Sequence, residues 1–398
     1  MPKTPATDVA EMEPMLPEEN SRALEDLAID LVAKANALAG QMNPIVTGSI
    51  GNLVRSMNCY YSNFIEGHNT RPREIDNALR QDFSLQPERR NLQLEALAHI
   101  EVQRAIDSGN DDKSTPLSAG YAIWVHREFC RRLPEAMLWV HEPGSHKKIR
   151  VVPGELRNGE VQVGKHVPPA AAALPRFLAR FDEAYNPAQF SKVRQIVATA
   201  AAHHRFAWIH PFYDGNGRVG RLMTHSMLKR LGIGNSLWSV ARGLARNVRD
   251  YKTLLADADE PRHTALDGRG ALSQKALIQF CEFFLNTCVD QITYMGLVLE
   301  PGQLLNRINI YTQEEVAEKR LLKGSFSLFR EALLFGEFER GKAEAITGYG
   351  ERAARDVLSR LITKNLLVSD SPKSPVRLGF PIDVVDRWFP ALYPSTQV

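Results

Sequence analysis

Twelve consecutive residues of this 398-residue chain, from His210 to Arg221, combine side chains that could move a phosphate group. They read His-Pro-Phe-Tyr-Asp-Gly-Asn-Gly-Arg-Val-Gly-Arg. Gly215 and Gly217 lack the Cβ atoms that would keep the backbone away from a bulky anion. The helix predicted after them, from Arg218 to Leu231, presents unpaired N–H groups and the positive end of its dipole. The stretch therefore predicts a binding site for a polyphosphate.

The charged side chains of this stretch suit the transfer of a phosphorus-centred group. Asp214 precedes the two glycines, where it could bind an Mg²⁺ ion that bridges phosphate oxygens. Arg218 and Arg221 are three residues apart and so share a helical face. His210 could take the proton of an attacking hydroxyl, because the ordinary pKa of histidine suits a base at neutral pH. The stretch is not a Walker loop, and no strand pattern precedes it as a Rossmann turn requires.

The stretch resembles the signature of the Fic family, His-x-Phe-x-Asp/Glu-Gly-Asn-Gly-Arg-x-x-Arg, and matches it at every specified position. The resemblance implies an all-helical core that binds ATP with Mg²⁺. It also implies that the protein transfers AMP to a side-chain hydroxyl of a target protein and releases pyrophosphate. The predicted activity is that of a nucleotidyltransferase, a protein adenylyltransferase.

The resemblance assigns roles within the signature. His210 would be the general base, Phe212 a core anchor and Asp214 the Mg²⁺ ligand. Asn216, with the N–H groups of the glycines on either side of it, would hold the α-phosphate, and the two arginines would hold the outer phosphates. The predicted ATP-binding residues are Asp214, Gly215, Asn216, Gly217, Arg218, Gly220 and Arg221 in the signature, Val161 and Gln162 upstream, and Tyr251 and Asp259 downstream.

A short hairpin is predicted ahead of the signature. Residues 148–152 and 160–163 read as two strands, with a Pro153-Gly154 turn between them. The hairpin resembles the family's flap, which lies over the active site and pairs by its backbone with the target segment that carries the hydroxyl. Strand addition to an exposed edge would place a target hydroxyl without a side-chain-specific pocket.

A second motif bears on when the site is active. Ser62-Asn63-Phe64-Ile65-Glu66-Gly67 matches the family's inhibitory motif, Ser/Thr-x-x-x-Glu-Gly, and lies far upstream of the signature. Ser62 and Glu66 are one helical turn apart, so the hydroxyl can steady the carboxylate. We expect Glu66 to form a bidentate ion pair with Arg221 and so to hinder productive ATP binding. Glu66 could alternatively position a water that hydrolyses AMP from modified targets.

Tyr251 and Asp259 follow a segment, residues 237–245, that resembles the part of the family closing the nucleoside side of the pocket. They are candidates for the adenine or ribose side. The chain departs from many relatives at Ala207, a place often occupied by an acid, which affects a helix-packing contact and not the catalytic assignment.

Composition excludes several classes of protein. A net charge of +3, with 24% charged residues, gives no argument for binding to nucleic acid or a membrane. No secretory signal is expected at the N-terminus, and polar residues interrupt the most apolar helix, residues 276–299, so that it reads as a packing helix. The four cysteines show no Cys-x-x-Cys spacing, which favours a reducing cytoplasm; Cys281 and Cys288 are expected to be buried on one helical face.

The predicted fold class is mainly α, with a Fic helical core, a short flap and a C-terminal winged helix. Residues 1–20 are predicted to be a disordered tail, 21–115 an N-terminal helical domain with the inhibitory helix, and 116–300 the catalytic domain. Residues 305–398 read as helix, glycine turn, helix and hairpin, which resembles a winged helix. Its second helix carries three arginines, diluted by acidic residues: Arg352, Arg355 and Arg360.

Two classes of function remain after the sequence is considered. One is an adenylyltransferase autoinhibited by Glu66, or a de-AMPylase that uses the same site. The other is a DNA-binding regulator whose winged helix is its main functional part. An intact His210 and both arginines favour the enzyme and AMP transfer, with UMP or GMP transfer left open. The predicted partners are ATP and a hydroxyl-bearing target protein, with a homodimer and DNA left open; protein contact is favoured over DNA.

Overall fold

The computed structural model describes residues 4–18, 21–141, 147–234 and 236–394. Most of these residues are helical, as predicted. The helices before the signature are α1 (Ser21–Gly40), α2 (Pro44–Ile65), α3 (Pro72–Leu79), α4 (Pro87–Asp107), α5 (Ala119–Cys130), α6 (Leu174–Ala184) and α7 (Lys192–Ile209). Those from the signature onward are α8 (Asn216–Arg230), α9 (Val240–Arg246), α10 (Val248–Ala258), α11 (Gln274–Val298), α12 (Pro301–Ala317), α13 (Ser325–Phe335), α14 (Ala343–Thr347), α15 (Glu351–Thr363) and α16 (Ile382–Trp388).

The strands form two small antiparallel sheets. Strand β1 (Trp139–His141) pairs with β2 (Lys148–Arg150), and Val140 lies opposite Ile149. In the C-terminal part, β3 (Glu337–Phe338), β4 (Leu367–Val368) and β5 (Val376–Leu378) form a sheet with the order β3-β5-β4. Short 3₁₀ helices are Val9–Met12, Glu135–Met137, Ala171–Ala173, Pro187–Gln189 and Arg340–Lys342.

Helix α11 lies at the centre of the helical core and packs against α1, α7, α9 and α10. The apolar face of α1 shows why: its buried positions recur every three or four residues, which gives one stripe along a helix. Cys281 and Cys288 are buried on α11 as predicted, and no helix in the described part of the chain is long and apolar enough to cross a membrane. The α1 stripe consists of Leu24, Ala28, Leu31, Ala35 and Leu38.

The signature lies between α7 and α8, which pack against each other. Helix α7 ends at Ile209, one residue before the predicted base, and α8 begins at Asn216, two residues earlier than predicted. Helix α8 also packs against α5 on one side and α4 on another. The functional loop is thus held at the meeting point of several helices.

The prediction of a disordered tail is wrong for residues 4–18; the rest of that range lies outside the described residues. Met12 is fully buried and Met15 nearly so. The buried guanidinium of Arg205 donates from Nε and Nη2 to the carbonyl of Pro14, at 3.0 and 2.8 Å. The Tyr185 hydroxyl donates to the Met15 carbonyl at 2.6 Å. Composition misled here because the segment is stabilised by distant side chains rather than by its own pattern.

The predicted hairpin pairing is also wrong. Strand β2 pairs with β1, upstream of it, and not with residues 160–163. Those residues instead make a small turn in which Val163 and His166 exchange backbone hydrogen bonds of 3.0 Å, with Gly164 at the tip in a left-handed conformation. The prediction of a strand at residues 148–152 was correct for β2. Strand pairing is a tertiary property, and the partner of β2 is β1, which precedes it in the chain.

The C-terminal part has the predicted order of elements. Helix α14, a turn containing Gly348 and Gly350, and helix α15 are followed by β4 and β5, which pair as a hairpin. Helix α16 then leads into residues 389–394, which pack back onto the catalytic half of the chain. The name winged helix stays an interpretation of this order.

Candidate nucleotide-transfer site

The loop that carries the base is a closed turn. His210 caps α7 with φ 48°, in the left-handed region, and its N–H donates to the carbonyl of Phe206 at 3.1 Å. The side chain of Asn216 accepts from the N–H of Phe212 at 3.0 Å and donates to the carbonyl of the same residue at 2.8 Å. Because the Asn216 amide closes the loop, its predicted contact with an α-phosphate stays a prediction.

The glycines open the loop to an anion, and an anion of the chain itself lies there. Gly215 has φ 80°, which favours glycine. A Cβ atom on Gly217 would overlap the carboxylate of Glu66 and would lie 3.1 Å from Nη1 of Arg221. Gly220 serves packing instead, since its Cβ would lie 3.2 Å from the ring of Phe206. The anion site predicted from the glycines is therefore where the Glu66 carboxylate lies.

The inhibitory motif meets Arg221 as predicted, but with a different geometry. Arg221 Nη2 donates to Glu66 Oε1 at 2.6 Å, so the ion pair uses one carboxylate oxygen and the expected bidentate pair is wrong. Arg221 Nε donates to the Ser62 hydroxyl at 2.9 Å, and Nη2 also donates to the Ser62 carbonyl at 3.0 Å. Ser62 thus accepts from the arginine rather than steadying Glu66 directly. Gly67 follows with φ 84° and turns the chain away.

Charge at the site is set by burial and by the two arginines. Burial would raise the pKa of the Glu66 carboxyl, but Arg221 and Arg218 more than offset it, so that this pKa is lowered and the group is ionised. Burial, followed by His166, lowers the pKa of His210 to about 4. The imidazole is therefore neutral at physiological pH, as a general base must be before it accepts a proton.

Arg218 is held by a carboxylate that sequence reasoning missed. The fully buried Glu95 of α4 forms an ion pair with Arg218, while its other oxygen lies 2.7 Å from Nδ1 of His68. His68 comes immediately after Gly67, so Glu95 connects the first arginine of the signature to the inhibitory segment. The signal in the sequence was an acid among the buried positions of α4, a face that also carries His99 and Gln103.

A buried arginine ties the flap region to the base. Arg157 Nε donates to the carbonyl of His210 at 2.9 Å, and its other nitrogens donate to the carbonyls of Gly159 and Pro169 at 3.0 and 2.5 Å. Its backbone N–H donates to Pro211 at 3.0 Å. The arginine is only 2% exposed. It therefore fixes the direction of the backbone at the base.

The predicted flap residues themselves lie at the surface. Val161 is half-buried, and Gln162 is exposed and donates from Nε2 to the carbonyl of Gly164 at 2.9 Å. His166, on the other side of the turn, lies with its Nε2 2.7 Å from the carbonyl of Trp208 on α7. This contact anchors the turn beside the helix that ends at the base.

His126 of α5 is a second residue that sequence reasoning missed. Its ring stacks on Phe212 with a centroid distance of 3.9 Å and an interplanar angle of 1°. Nδ1 accepts from the N–H of Gly154 at 2.9 Å, so this nitrogen carries no proton. Burial lowers the pKa of His126 to about 4. One side chain thus supports both the signature loop and the chain that leads to the flap.

The two downstream candidates lie in hydrogen-bonded networks. Tyr251 is buried, with its hydroxyl 2.8 Å from Nε2 of His203, whose Nδ1 lies 2.8 Å from the Thr224 hydroxyl on α8. Asp259 Oδ1 lies 3.1 Å from Nε2 of His204, and its Oδ2 lies 3.7 Å from Nδ1 of His166. Burial raises the pKa of Tyr251 to about 12. Both residues support the walls of the site, and their contact with a nucleoside stays a prediction.

Asp214 has the chemistry expected of a magnesium ligand. Its side chain is about half exposed, at 47%, and one oxygen accepts from the N–H of Gly215 at 2.7 Å, which leaves the carboxylate at the open side of the glycine loop. Among the described residues, no group of three metal-binding side chains is gathered in one place. Mg²⁺ commonly binds through one carboxylate, phosphate oxygens and water, so a single acid beside a phosphate site fits this ion.

Comparison with known proteins agrees with this geometry. Residues 116–228 match the model of the Fic/DOC family. A protein adenylyltransferase Fic of Drosophila grimshawi is 40% identical over 79 residues, which cover 20% of this chain and 16% of that protein. The corresponding protein of Drosophila erecta is 39% identical over the same length. The match thus spans about a sixth of the length of these curated relatives.

Solved structures share the fold. A Fic family protein from Desulfovibrio desulfuricans G20 is 19% identical, with a TM-score of 0.51, and the match covers 92% of this chain and 98% of that one. A Fic domain containing signaling protein from Bacteroides thetaiotaomicron VPI-5482 is also 19% identical, with a TM-score of 0.50, over 68% of this chain and 95% of the other. The similarity to the Fic/DOC family thus lies in residues 116–228, and the similarity to solved Fic structures is one of fold.

Proposed function

We propose that this protein transfers AMP from ATP to a Ser, Thr or Tyr hydroxyl of a target protein, or of itself, and that Glu66 inhibits the transfer. The observation that carries the proposal is the position of the Glu66 carboxylate. It lies on Gly217 and accepts from Arg221, in the place that the signature offers to an anion. A site built for phosphate and filled by the chain's own carboxylate is typical of an enzyme that is held inactive.

The proposed reaction begins at the base. The hydroxyl oxygen of the target attacks the α-phosphorus of ATP, and neutral His210 takes the hydroxyl proton as the new O–P bond forms. The bond between the α-phosphorus and the pyrophosphate breaks, and pyrophosphate leaves with the electron pair. The low pKa of His210, about 4, keeps the imidazole available for this step.

The other groups stabilise charge. Backbone N–H groups at the start of α8 face the phosphate oxygens on which negative charge gathers. Arg221, freed from Glu66, would hold the outer phosphates; Arg218, paired with Glu95, would contribute from a fixed position. When bound at Asp214, Mg²⁺ would supply further stabilisation of charge on the phosphate oxygens. The flap turn at residues 163–166 would receive the target segment.

The proposal is tested by labelling with ATP. Glu66→Gly protein, incubated with ATP, Mg²⁺ and lysate, should carry or transfer an AMP adduct on Ser, Thr or Tyr, as seen by mass spectrometry. Wild-type protein should label at least about fivefold less, since Glu66 competes for Arg221.

Controls separate the two parts of this proposal. His210→Ala in the Glu66→Gly background should lose nearly all labelling, because His210 is the group proposed to take the hydroxyl proton. Equal labelling by Glu66→Gly protein with and without His210→Ala would overturn the mechanism. Equal labelling by wild type and Glu66→Gly would overturn autoinhibition alone. Loss of AMP from pre-labelled targets only when Glu66 is present would support the reverse reaction, since this carboxylate lies at the phosphate site.

The C-terminal part is proposed to be a separate winged-helix domain that serves protein contact. On α15, Arg355 donates to Glu351 at 2.5 Å, which pairs one of the three arginines within its own helix. A DNA-binding regulator would need these cations for phosphates. A gel shift with genomic fragments at low salt separates the alternatives. The domain limits 21–115, 116–300 and 305–398, a cytoplasmic location and a possible homodimer remain part of this proposal.

A further inference from the structure

The helix that carries Glu66 is contacted near both ends by the C-terminal part of the chain. At its start, a Cβ on Gly336, just after α13, would lie 2.5 Å from Oδ1 of Asn43, the residue that caps α2. Near its end, Tyr61 donates from its hydroxyl to the carbonyl of Leu392 at 3.0 Å. Tyr61 immediately precedes Ser62, so this bond lies about one and a half helical turns before Glu66.

The segment 389–393, which we call the C-terminal latch, is held by three different helices. The carbonyl of Pro390 accepts from the hydroxyl of Tyr294 on α11 at 2.9 Å. The carbonyl of Ala391 accepts from Nη2 of Arg242 on α9 at 2.7 Å. The carbonyl of Leu392 accepts from Tyr61 on α2, as described above. Three consecutive carbonyls thus each have a partner on a separate helix of the catalytic half.

Packing makes the latch rigid. Leu392 is fully buried and Tyr393 is 2% exposed. The ring of Tyr393 meets Tyr60 edge to face, with centroids 5.4 Å apart, and lies 6.5 Å from the ring of Tyr61. Ala391 adopts φ 62°, a conformation that costs a non-glycine residue about 1–2 kcal/mol and persists only where surrounding contacts fix it.

The buried cation of Arg242 stabilises the position of the latch through the Ala391 carbonyl. Its guanidinium is 2% exposed, lies 3.6 Å from the ring centre of Tyr294, and donates from Nη1 to Gln291 at 2.8 Å. Withdrawal of the latch would remove the Ala391 carbonyl from a buried cation, which is costly. The latch and the helices beneath it therefore stabilise one another.

We infer that the C-terminal latch positions Glu66: by fixing the last turn of α2 through Tyr61 and Tyr393, it holds the inhibitory carboxylate against Arg221. This inference rests on the proposed autoinhibition and extends it to the other end of the chain. Glu66 lies just past the end of α2, where a helix would otherwise fray. The latch contact at Tyr61 adds to the contacts of Ser62 with Arg221 in holding that end. The C-terminal part is thereby a regulatory part of the molecule.

The test compares two latch variants with and without Glu66. Tyr61→Phe removes the hydroxyl, with its bond to the Leu392 carbonyl and its hydrogen bond with Arg242, and Tyr393→Ala removes the packed ring. Labelling from ATP should rise about fivefold or more in Tyr393→Ala, and by a smaller factor in Tyr61→Phe. In the Glu66→Gly background the same changes should alter labelling less than about twofold, because the group they position is gone.

A matched control is Tyr185→Phe, which removes a buried hydroxyl bond to the Met15 carbonyl far from α2. It should leave labelling at the wild-type level. Amide hydrogen exchange gives a readout that does not depend on activity: residues 60–67 should exchange faster in both latch variants and not in the control. If Tyr393→Ala fails to melt cooperatively, Tyr61→Phe provides the test.

The outcomes separate the inference from the proposed function. The role of the latch would be overturned if Glu66→Gly protein is active but the latch variants label at the wild-type level. It would also be overturned if the latch changes raise labelling by the same factor in the Glu66→Gly background as in wild type. Unchanged exchange of residues 60–67 would also overturn it. Faster exchange in the latch variants, with no labelling by any protein, would support the latch and reject the proposed transfer.

Discussion

At the scale of single residues, His210 combines a strained backbone with an unusual pKa. Its φ of 48° belongs to a region that costs a non-glycine residue about 1–2 kcal/mol. The conformation turns the chain sharply from α7 into the glycine loop. It is held because the His210 N–H donates to the carbonyl of Phe206 and the His210 carbonyl accepts from Arg157. Strain of this kind at a reactive residue is typical of a preorganised site.

The pKa of His210 predicts the pH dependence of labelling. Because burial lowers this pKa to about 4, the base is neutral above that pH and is lost only as the pH falls through it. In Glu66→Gly protein, kcat/KM for a target should therefore change little between pH 7.5 and pH 6.0. Removal of Glu66 strengthens the expectation, since its carboxylate acts to raise the pKa. A fall to about a quarter at pH 6.0, as for an ordinary histidine, would contradict it.

At the scale of elements, the site is a joint between α7, its loop and α8 that other elements support from outside. His126 of α5 stacks beneath Phe212, Arg157 binds the carbonyl of the base, and Glu95 of α4 holds Arg218. Each supporting side chain comes from a different segment. The signature therefore needs its surroundings to keep the base, the glycines and the arginines in register.

Arg157 gives the clearest test at this scale. Lysine keeps the charge but lacks the planar fork that reaches three carbonyls, so Arg157→Lys should let the backbone at His210 relax. We expect kcat in the Glu66→Gly background to fall about tenfold to a hundredfold, with the KM for ATP nearly unchanged. Steady-state kinetics measures the two constants separately. A rise in KM alone would show instead that Arg157 serves nucleotide binding.

At the scale of the whole molecule, the last described residues of the chain meet α2, the helix that leads to Glu66. The helix carries Glu66 into the site, and the last residues of the chain pack on its final turn. The N-terminal segment, residues 4–18, meanwhile packs against α6 and α7. Long-range contacts of this kind join the last described residues of the chain to α2, α9 and α11.

Closure of the site by Glu66 predicts how ATP stabilises the protein. Under the proposed autoinhibition, we expect the triphosphate to break the pair between Glu66 and Arg221 of the wild type before it binds well, which would reduce its apparent affinity. ATP with Mg²⁺ should raise the melting temperature of Glu66→Gly protein by about 2 °C or more, and that of wild type by less. Arg221→Ala in the Glu66→Gly background should abolish the shift. Equal shifts in wild type and Glu66→Gly would argue that Glu66 does not obstruct the nucleotide.

Much of the site was predictable from the sequence because its parts are local. A base, an acid, glycines and arginines at fixed offsets lie in one loop and one helical turn, so their chemistry can be recognised without a fold. The pairing of Glu66 with Arg221 was also predictable, but only through the resemblance of two motifs 155 residues apart. The geometry of this pair was not predictable. Arg221 Nε donates to the Ser62 hydroxyl, so only Nη2 binds Glu66, through one carboxylate oxygen.

The sequence by itself determined the mainly helical class, and it predicted the anion-binding loop and its base, since these depend on local pattern and residue type. Only the tertiary structure decided that Glu95 neutralises Arg218, that β2 pairs upstream, and that the C-terminal latch reaches Tyr61. The physical reason is that a buried charge or an unpaired carbonyl must find a partner in space. Sequence shows that such a partner is needed, and folding decides which segment supplies it.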